Sequence, residues 1–250
     1  MPKRRDSSSY IVSPQKHDTH ARQEFVSVVL LGENYGYRMK SYGPIPLIRL
    51  GKITLLEKQV NVIKSVFPNY EILLCCGFGA NKLITFVKEH LSHLNIRIIE
   101  NQLHNNSNCC ESIRLCLNNT MNTRFVICNG ELVFTRDQLE QIDLNTSSMM
   151  IQEIDEHKNL DIGVIHNENY VENMSLGIKS SHWCEIMSLA GRPIVNSLRS
   201  IVAVPEYKNK FVFEAVNDLV RKYPIEIVDC SKYPMEKINN ITTLKRLKQK

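Results

Sequence analysis

Four short apolar runs, FVSVVLL (25–31), EILLCC (71–76), NIRIIE (95–100) and RFVIC (124–128), alternate with segments of helical period. This alternation constrains the fold more than any other feature of the chain. The runs read as strands buried in a sheet. Between the first two, ITLLEKQVNVIKSVF (53–67) places Ile53, Leu56, Val60, Ile63 and Phe67 at three- and four-residue spacing, a helix with one apolar stripe that Pro68 ends. ANKLITFVKEHLSHL (80–94) repeats the pattern with Leu83, Phe86, Val87 and Leu91. Residues 107–118 read as a third helix and 135–142 as a short fourth. Strands and helices alternating through short connections predict a parallel sheet with helices on both faces. Ligands of such sheets bind at the carboxyl ends of the strands. Here those ends are the chain from Gly32 onward, 77–80, the chain from Glu100 onward, and 129–132.

The texture changes near residue 145. SMMIQEI, DIGVIH, NYVENM and HWCEIM are short strand-like pieces that predict a mixed or antiparallel extension of the sheet. Helices return at 193–203 and 210–222, followed by a strand at 225–229 and a closing helix at 241–249. Residues 1–24 are polar, carry a Ser cluster and have no period, so they read as a flexible basic arm before one domain spanning 25–250.

At 250 residues, 43% hydrophobic and 23% charged, the chain suits one soluble globular domain. No apolar run approaches the roughly 20 residues that cross a bilayer, and the N-terminus lacks the apolar core of a signal peptide. The expected compartment is the cytoplasm, or the host cytoplasm for a viral chain, an origin with which the Asn content and basic arm are compatible. The eight cysteines form no C-x-x-C and read as buried reduced thiols. The net charge of +5 gathers at Lys3, Arg4, Arg5, Lys245, Arg246, Lys248 and Lys250. Without aromatic-basic interleaving, such tails do not argue for nucleic acid as a partner. A protein partner for the arm stays open, and no membrane is expected.

The stretch after the first strand, GENYGYRMKSYGPIPLIRLG (32–51), resembles the signature of the sugar-phosphate and choline-phosphate nucleotidyltransferases. Their pattern is A-A-G-x-G-x-R-M, a loop with P-K-P-L, then L-G. Gly32, Glu33 and Asn34 stand at Ala-Ala-Gly, while Gly36, Arg38, Met39, Pro44, Pro46, Leu47, Leu50 and Gly51 match. NYEILLCCGFGANKLITFV is similar to D-E-I-x-V-V-x-G-Y-x-A-x-x-I. IIENQLHNNSNCCESI is similar to I-x-N-P-x-Y-x-x-T-N-N-x-x-S-L through Glu100, Asn101, Ser107, Asn108 and Ser112, a feature strongest in phosphocholine cytidylyltransferase-like members. VICNGELVF resembles the strand ending in the metal-holding G-D, and KINNITTLKRLKQ resembles E-I-D-T-P-E-D-L-x-R-A. The likeness runs over residues 25–250.

It implies a three-layer α/β/α, Rossmann-like (GT-A-like) fold with a mostly parallel sheet and an antiparallel extension. It also implies transfer of a nucleotidyl group from an NTP such as CTP or UTP to a phosphorylated acceptor, with release of pyrophosphate. In such chemistry the protein positions the reactants and neutralises their charge. By resemblance the nucleotide-binding positions are Gly32, Glu33, Asn34, Gly36, Arg38, Gly77, Ala80, Ser107 and Asn108. Arg38 and Glu131 are the catalytic positions, and Glu131 and Asn239 the ligands of Mg²⁺ if the protein is active; otherwise no cofactor is implied.

Four departures fall on the positions that the pattern uses for phosphate and metal. Asn34 replaces glycine, Ile45 the lysine of P-K-P, Glu131 the aspartate of G-D, and Asn239 the late aspartate. All four handle phosphate or metal, a pattern of lost catalysis on a retained fold. Three functions stay open: a nucleotide-binding relic, an active Mg²⁺-dependent transferase with altered residues, and an interaction module docking through its arm. Bland roles compete at each position. Arg38 can be a surface arginine, Glu131 a cap, and Asn101, Ser107 and Asn108 turn residues. His90 and His93 read as solvent-facing and His166 as structural. Trp183 reads as a core residue, with an acceptor-side wall as the alternative.

Overall fold

The computed structural model describes residues 10–12, 25–153 and 162–249. The chain runs β1 (Tyr10–Val12), β2 (Val26–Gly32), β3 (Arg49–Leu50), β4 (Ile53–Thr54), α1 (Leu55–Val66), β5 (Tyr70–Cys76), α2 (Ala80–His90), β6 (Ile96–Glu100) and α3 (Cys109–Asn118). There follow β7 (Arg124–Asn129), β8 (Leu132–Val133), α4 (Arg136–Leu139), β9 (Ser148–Glu153), β10 (Ile162–His166), β11 (Val171–Leu176), β12 (Ser181–Ala190), α5 (Arg192–Ala203), α6 (Val212–Val220), β13 (Glu226–Asp229), β14 (Glu236–Lys237) and α7 (Ile241–Gln249).

Side-chain alternation along β2 explains the layering. Val29 and Leu31 face one core with α3, α5 and α6, whereas Val26, Val28 and Leu30 face another with α1 and α2. Burial on both faces is why the strand sequences carry no polar alternation. The order β6-β5-β2-β7 is parallel throughout, and β12 joins β7 antiparallel to carry β9, β10 and β11. The expected three-layer α/β/α sheet with an antiparallel extension is therefore the observed one. One edge differs from expectation. Tyr10–Val12, counted in the flexible arm, pair antiparallel with β6; residues 1–9 and 13–24 of that arm lie outside the described residues.

The first helix starts later than its apolar period suggests. Ile53 and Thr54 form a two-residue hairpin strand with β3, and Thr54 caps α1. The Thr54 hydroxyl accepts from the Glu57 backbone N–H at 3.2 Å, and the Glu57 carboxylate accepts from the Thr54 N–H at 2.7 Å. This capping box is written in the sequence as T-L-L-E. A third, smaller apolar cluster joins the loop after β2 to the C-terminus through Met39, Ile45, Ile48, Leu55, Ile238 and Leu244. Among the described residues no helix is long and apolar enough to cross a membrane.

Candidate functional site

The chain leaves β2 for β5 and β6 on one side and returns to β7 on the other. The strand order reverses between β2 and β7, and at this switch point the carboxyl ends of two strands open a crevice. Gly130 shows how close their loops come. Its N–H donates to the Leu31 carbonyl at 2.9 Å, and a Cβ there would lie 2.7 Å from that oxygen and 2.9 Å from Gly32 Cα. Only glycine fits. The Glu33 carbonyl accepts from Phe78 N–H at 2.9 Å, which ties in the loop after β5. Tyr37 N–H donates to the Asn239 carbonyl at 2.8 Å, and Ile238 N–H to the Glu131 carbonyl at 2.9 Å. The short β8–β14 ladder, Glu236 opposite Val133 and Lys237 opposite Leu132, fixes that last contact.

These segments enclose a cavity of about 510 Å³ lined by Glu33, Asn34, Tyr35, Gly36, Tyr37, His104, Asn105, Glu131 and Asn239. A second cavity of about 930 Å³ shares Tyr37 and Asn239 with it and adds Arg38, Trp183, Glu185, Lys237 and Arg246 among its walls.

Carboxylates dominate the junction. Glu33 is 3% exposed, and neither of its oxygens has a hydrogen-bond partner within 3.5 Å. Burial pushes its carboxyl up, against a weaker downward pull from its own backbone N–H and the Ser112 hydroxyl. Glu131 is 8% exposed and is pushed up to about 7, chiefly by burial; Lys237 opposes the rise, while Glu185 and Glu33 add to it. Lys237 Nζ lies 2.5 Å from Glu185 Oε1 and 3.8 Å from Glu131 Oε2. The Asn129 side-chain amide donates to the other Glu185 oxygen, and its carbonyl accepts from Glu131 N–H at 2.9 Å. Glu185 itself holds a left-handed φ of 57° where the β12 register breaks between Trp183 and Met187. Non-glycine residues in that region cost about 1–3 kcal/mol and persist where the surroundings hold them.

The expected site residues divide into two groups. Glu33, Asn34, Gly36, Glu131 and Asn239 line the smaller cavity, and Arg38 lines the larger. Arg38 is exposed, has a φ of 56° and lies over the Tyr37 ring at 5.0 Å. Gly32 packs against Pro46 and the Cys75 carbonyl, and Gly77 against Glu33 and His104. Ala80 opens α2 behind the left-handed Gly79. Ser107 and Asn108 are not among the lining residues of either cavity. Ser107 Oγ donates to the Leu103 carbonyl at 2.9 Å and accepts from the Asn101 amide at 3.1 Å, and Asn108 caps α3. Asn239 supplies its backbone carbonyl to the loop after β2, while its side-chain oxygen accepts from the Asn240 amide at 2.7 Å.

Ile45 is fully buried in the third apolar cluster. Two nearby cations bear on the missing lysine, Lys40 and Arg49; Lys40 lies 5.5 Å from the Tyr35 ring on the loop after β2. Arg49 instead donates to the Lys52 carbonyl at 3.3 Å. His90 and His93 are exposed, His166 bonds the Asn167 carbonyl, and Trp183 is 6% exposed with its indole N–H on the Ile186 carbonyl. All eight cysteines are free thiols, seven of them buried.

Glu185, Lys237, His104 and the two loop tyrosines escaped the sequence reading. One signal for Lys237 was available: in Lys237-Ile238-Asn239 the outer residues share a side of an extended chain, so a site at Asn239 brings Lys237 with it. The donor set at the implied metal position does not suit Mg²⁺. Asn239 brings no charge, an ammonium lies against the two carboxylates, and among the described residues no three His, Cys, Asp or Glu side chains converge as a ligand group.

The sheet order, the two helical layers and the crevice at the switch point define the nucleotidyltransferase-type α/β fold. The structure is similar to a CTP:phosphocholine cytidylyltransferase from Streptococcus pneumoniae, with a TM-score of 0.73 and 12% identity over 90% of this chain and 98% of the other. It is similar to an inositol-1-phosphate CTP transferase from T. maritima, with a TM-score of 0.72 and 12% identity over 89% and 94% of the two chains. A UTP-bound UGPase from Acinetobacter baumannii matches with a TM-score of 0.69 and 9% identity over 90% and 93%. No family model matches the sequence, and no curated protein matches it.

Proposed function

We propose that this chain binds a nucleoside triphosphate or a related nucleotide in the switch-point crevice, and that its capacity for nucleotidyl transfer is impaired. The crevice carries the reading. Glu33 to Tyr37 line one wall of a cavity at the carboxyl ends of β2 and β7, where ligands of open α/β sheets bind. The similar structures supply the ligand class, since they include enzymes that use CTP and a UGPase bound to UTP. A phosphorylated small molecule then belongs in the adjoining cavity, beside Arg38, Lys237 and Arg246.

Two features support impairment. Ile45 is sealed in an apolar cluster and leaves no cation at its position, and Glu131, the one carboxylate of the implied metal site, is paired with Lys237, which also binds the neighbouring Glu185. Mg²⁺ accordingly has no role in this reading.

Thermal unfolding with CTP, UTP, ATP and GTP tests it. A nucleotide held with a Kd of about 10 μM and supplied at about 1 mM adds roughly 2.7 kcal/mol and raises Tm by about 5–10 °C. No shift with any of the four at millimolar concentration refutes nucleotide binding. Stoichiometric pyrophosphate release with phosphocholine or a sugar 1-phosphate refutes the impairment.

A further inference from the structure

We propose that Lys237 is a built-in counter-cation standing where a divalent ion would be held, so that the crevice takes an anionic phosphate ligand without metal. The ligand rests on the nucleotide reading above; the geometry does not. Glu131 follows β7 and Glu185 lies on β12, the antiparallel neighbour of β7 that pairs Ile186 with Cys128. Glu185 therefore lies beside the end of β7 from which the chain runs on to Glu131, and uncompensated like charges so placed repel. Lys237 is brought to them by the β8–β14 ladder, which sets it opposite Leu132, the residue after Glu131.

Its ammonium makes a charge-assisted hydrogen bond of 2.5 Å to Glu185 and an ion pair of 3.8 Å to Glu131. The second Glu185 oxygen is taken by the Asn129 amide. Mg²⁺ requires near-octahedral oxygen ligands at about 2.0–2.1 Å, and an ammonium bonded to the same carboxylate both repels the ion and occupies its lone pairs. The left-handed backbone of Glu185 has a place in this picture. The break in the β12 register re-aims that one side chain toward Lys237. Lys237 keeps 31% of its side chain exposed and lines the larger cavity, while Glu131 lines the smaller. The ammonium thus stands between the two.

Two measurements on the full chain test this. The first follows Mn²⁺ by electron paramagnetic resonance. Wild type should leave the free-ion signal unchanged, and Lys237→Met should bind Mn²⁺ at least roughly tenfold more tightly, because the carboxylates then lack their cation. Stoichiometric Mn²⁺ binding by wild type overturns the proposal, as does a folded Lys237→Met that binds no better than wild type. The wild-type arm decides the question even if the methionine variant does not fold. The second is a CTP titration in EDTA and in Mg²⁺. Equal affinity supports the proposal. A requirement for Mg²⁺ overturns it and leaves the nucleotide reading standing. Absence of CTP binding in both buffers refutes CTP as the nucleotide, and the Mn²⁺ titration then decides the role of Lys237.

Discussion

Restoring the lysine that the signature implies at position 45 should harm this protein. Ile45 is fully buried, and its cluster of Met39, Ile48, Leu55, Ile238 and Leu244 is entirely apolar. Ile45→Lys removes a side chain whose burial is worth about 1.5–3 kcal/mol, of which the lysine stem recovers part. The ammonium then has to lose its charge or reach solvent by displacing neighbours. Driving a lysine from its ordinary value of about 10.4 to near 7 costs about 4–5 kcal/mol at neutral pH. We expect a net loss of about 3–5 kcal/mol, which in a chain of this size lowers Tm by roughly 6–20 °C. Ile45→Met, which conserves volume, should cost less than about 1.5 kcal/mol. Urea and thermal unfolding of the three proteins read the difference, with nucleotide titration in parallel. If Ile45→Lys unfolds within about 1 kcal/mol of wild type and binds nucleotide more tightly, the position opens into the crevice. The assignment of Ile45 to a closed apolar cluster would then be wrong.

Other substitutions probe the junction. Between pH 4.5 and about 7 the native state holds a proton on Glu131 that the unfolded chain releases, so stability falls as pH rises through that window. The loss is of order 3 kcal/mol; Glu131→Gln should flatten the slope in pH-dependent urea unfolding, leaving the same-signed contribution of Glu33. Glu185→Gly should be about 1 kcal/mol less destabilising than Glu185→Ala, because both lose the Lys237 and Asn129 contacts but only glycine relieves the φ of 57°. Equal stabilities would remove the argument from strain. Gly130→Ala places a Cβ 2.7 Å from the Leu31 carbonyl oxygen, with backbone on both sides, and should cost more than about 2 kcal/mol in thermal unfolding. A neutral result would show that the two loops can part.

The repeating elements of this fold were legible because their signals are local. The continuous apolar run of β2 and the 3.6 period of α1 and α2 can be read within a dozen residues, and T-L-L-E marks the first residue of α1 although the apolar period starts the helix at Ile53. The short ladder of β8 and β14 was not legible. Two residues a side carry no period, and the pairing joins positions about a hundred residues apart. Much of the site's electrostatics depends on that ladder. The resemblance pointed to Glu131 and Asn239, but the approach of Lys237 to Glu185 arises from long-range pairing combined with a register break inside β12. Ser107 and Asn108 show the opposite effect. Their residue types suit loops and caps on general grounds, and their side chains take those roles here.

The departures from the signature acquire a common sense when their charges are followed together. Ile45 in place of lysine removes one positive charge. Asn239 in place of aspartate removes one negative charge, and Glu131 in place of aspartate leaves the charge unchanged. Lys237 falls where the pattern E-I-D has glutamate, which makes the region two charges more positive. Glu33 in place of alanine adds one negative charge, so these five positions together gain one positive charge. The structure places the Lys237 ammonium between Glu131 and Glu185. Ile45 and Ile238 meet in one apolar cluster, and Ile238 lies between Lys237 and Asn239, so three of the altered sites sit on two segments that touch. An ionised carboxylate buried without a counter-charge costs several kcal/mol. Lys237 supplies that counter-charge to Glu131 and Glu185, while Glu33, whose oxygens have no hydrogen-bond partner, is pushed toward its neutral form by burial.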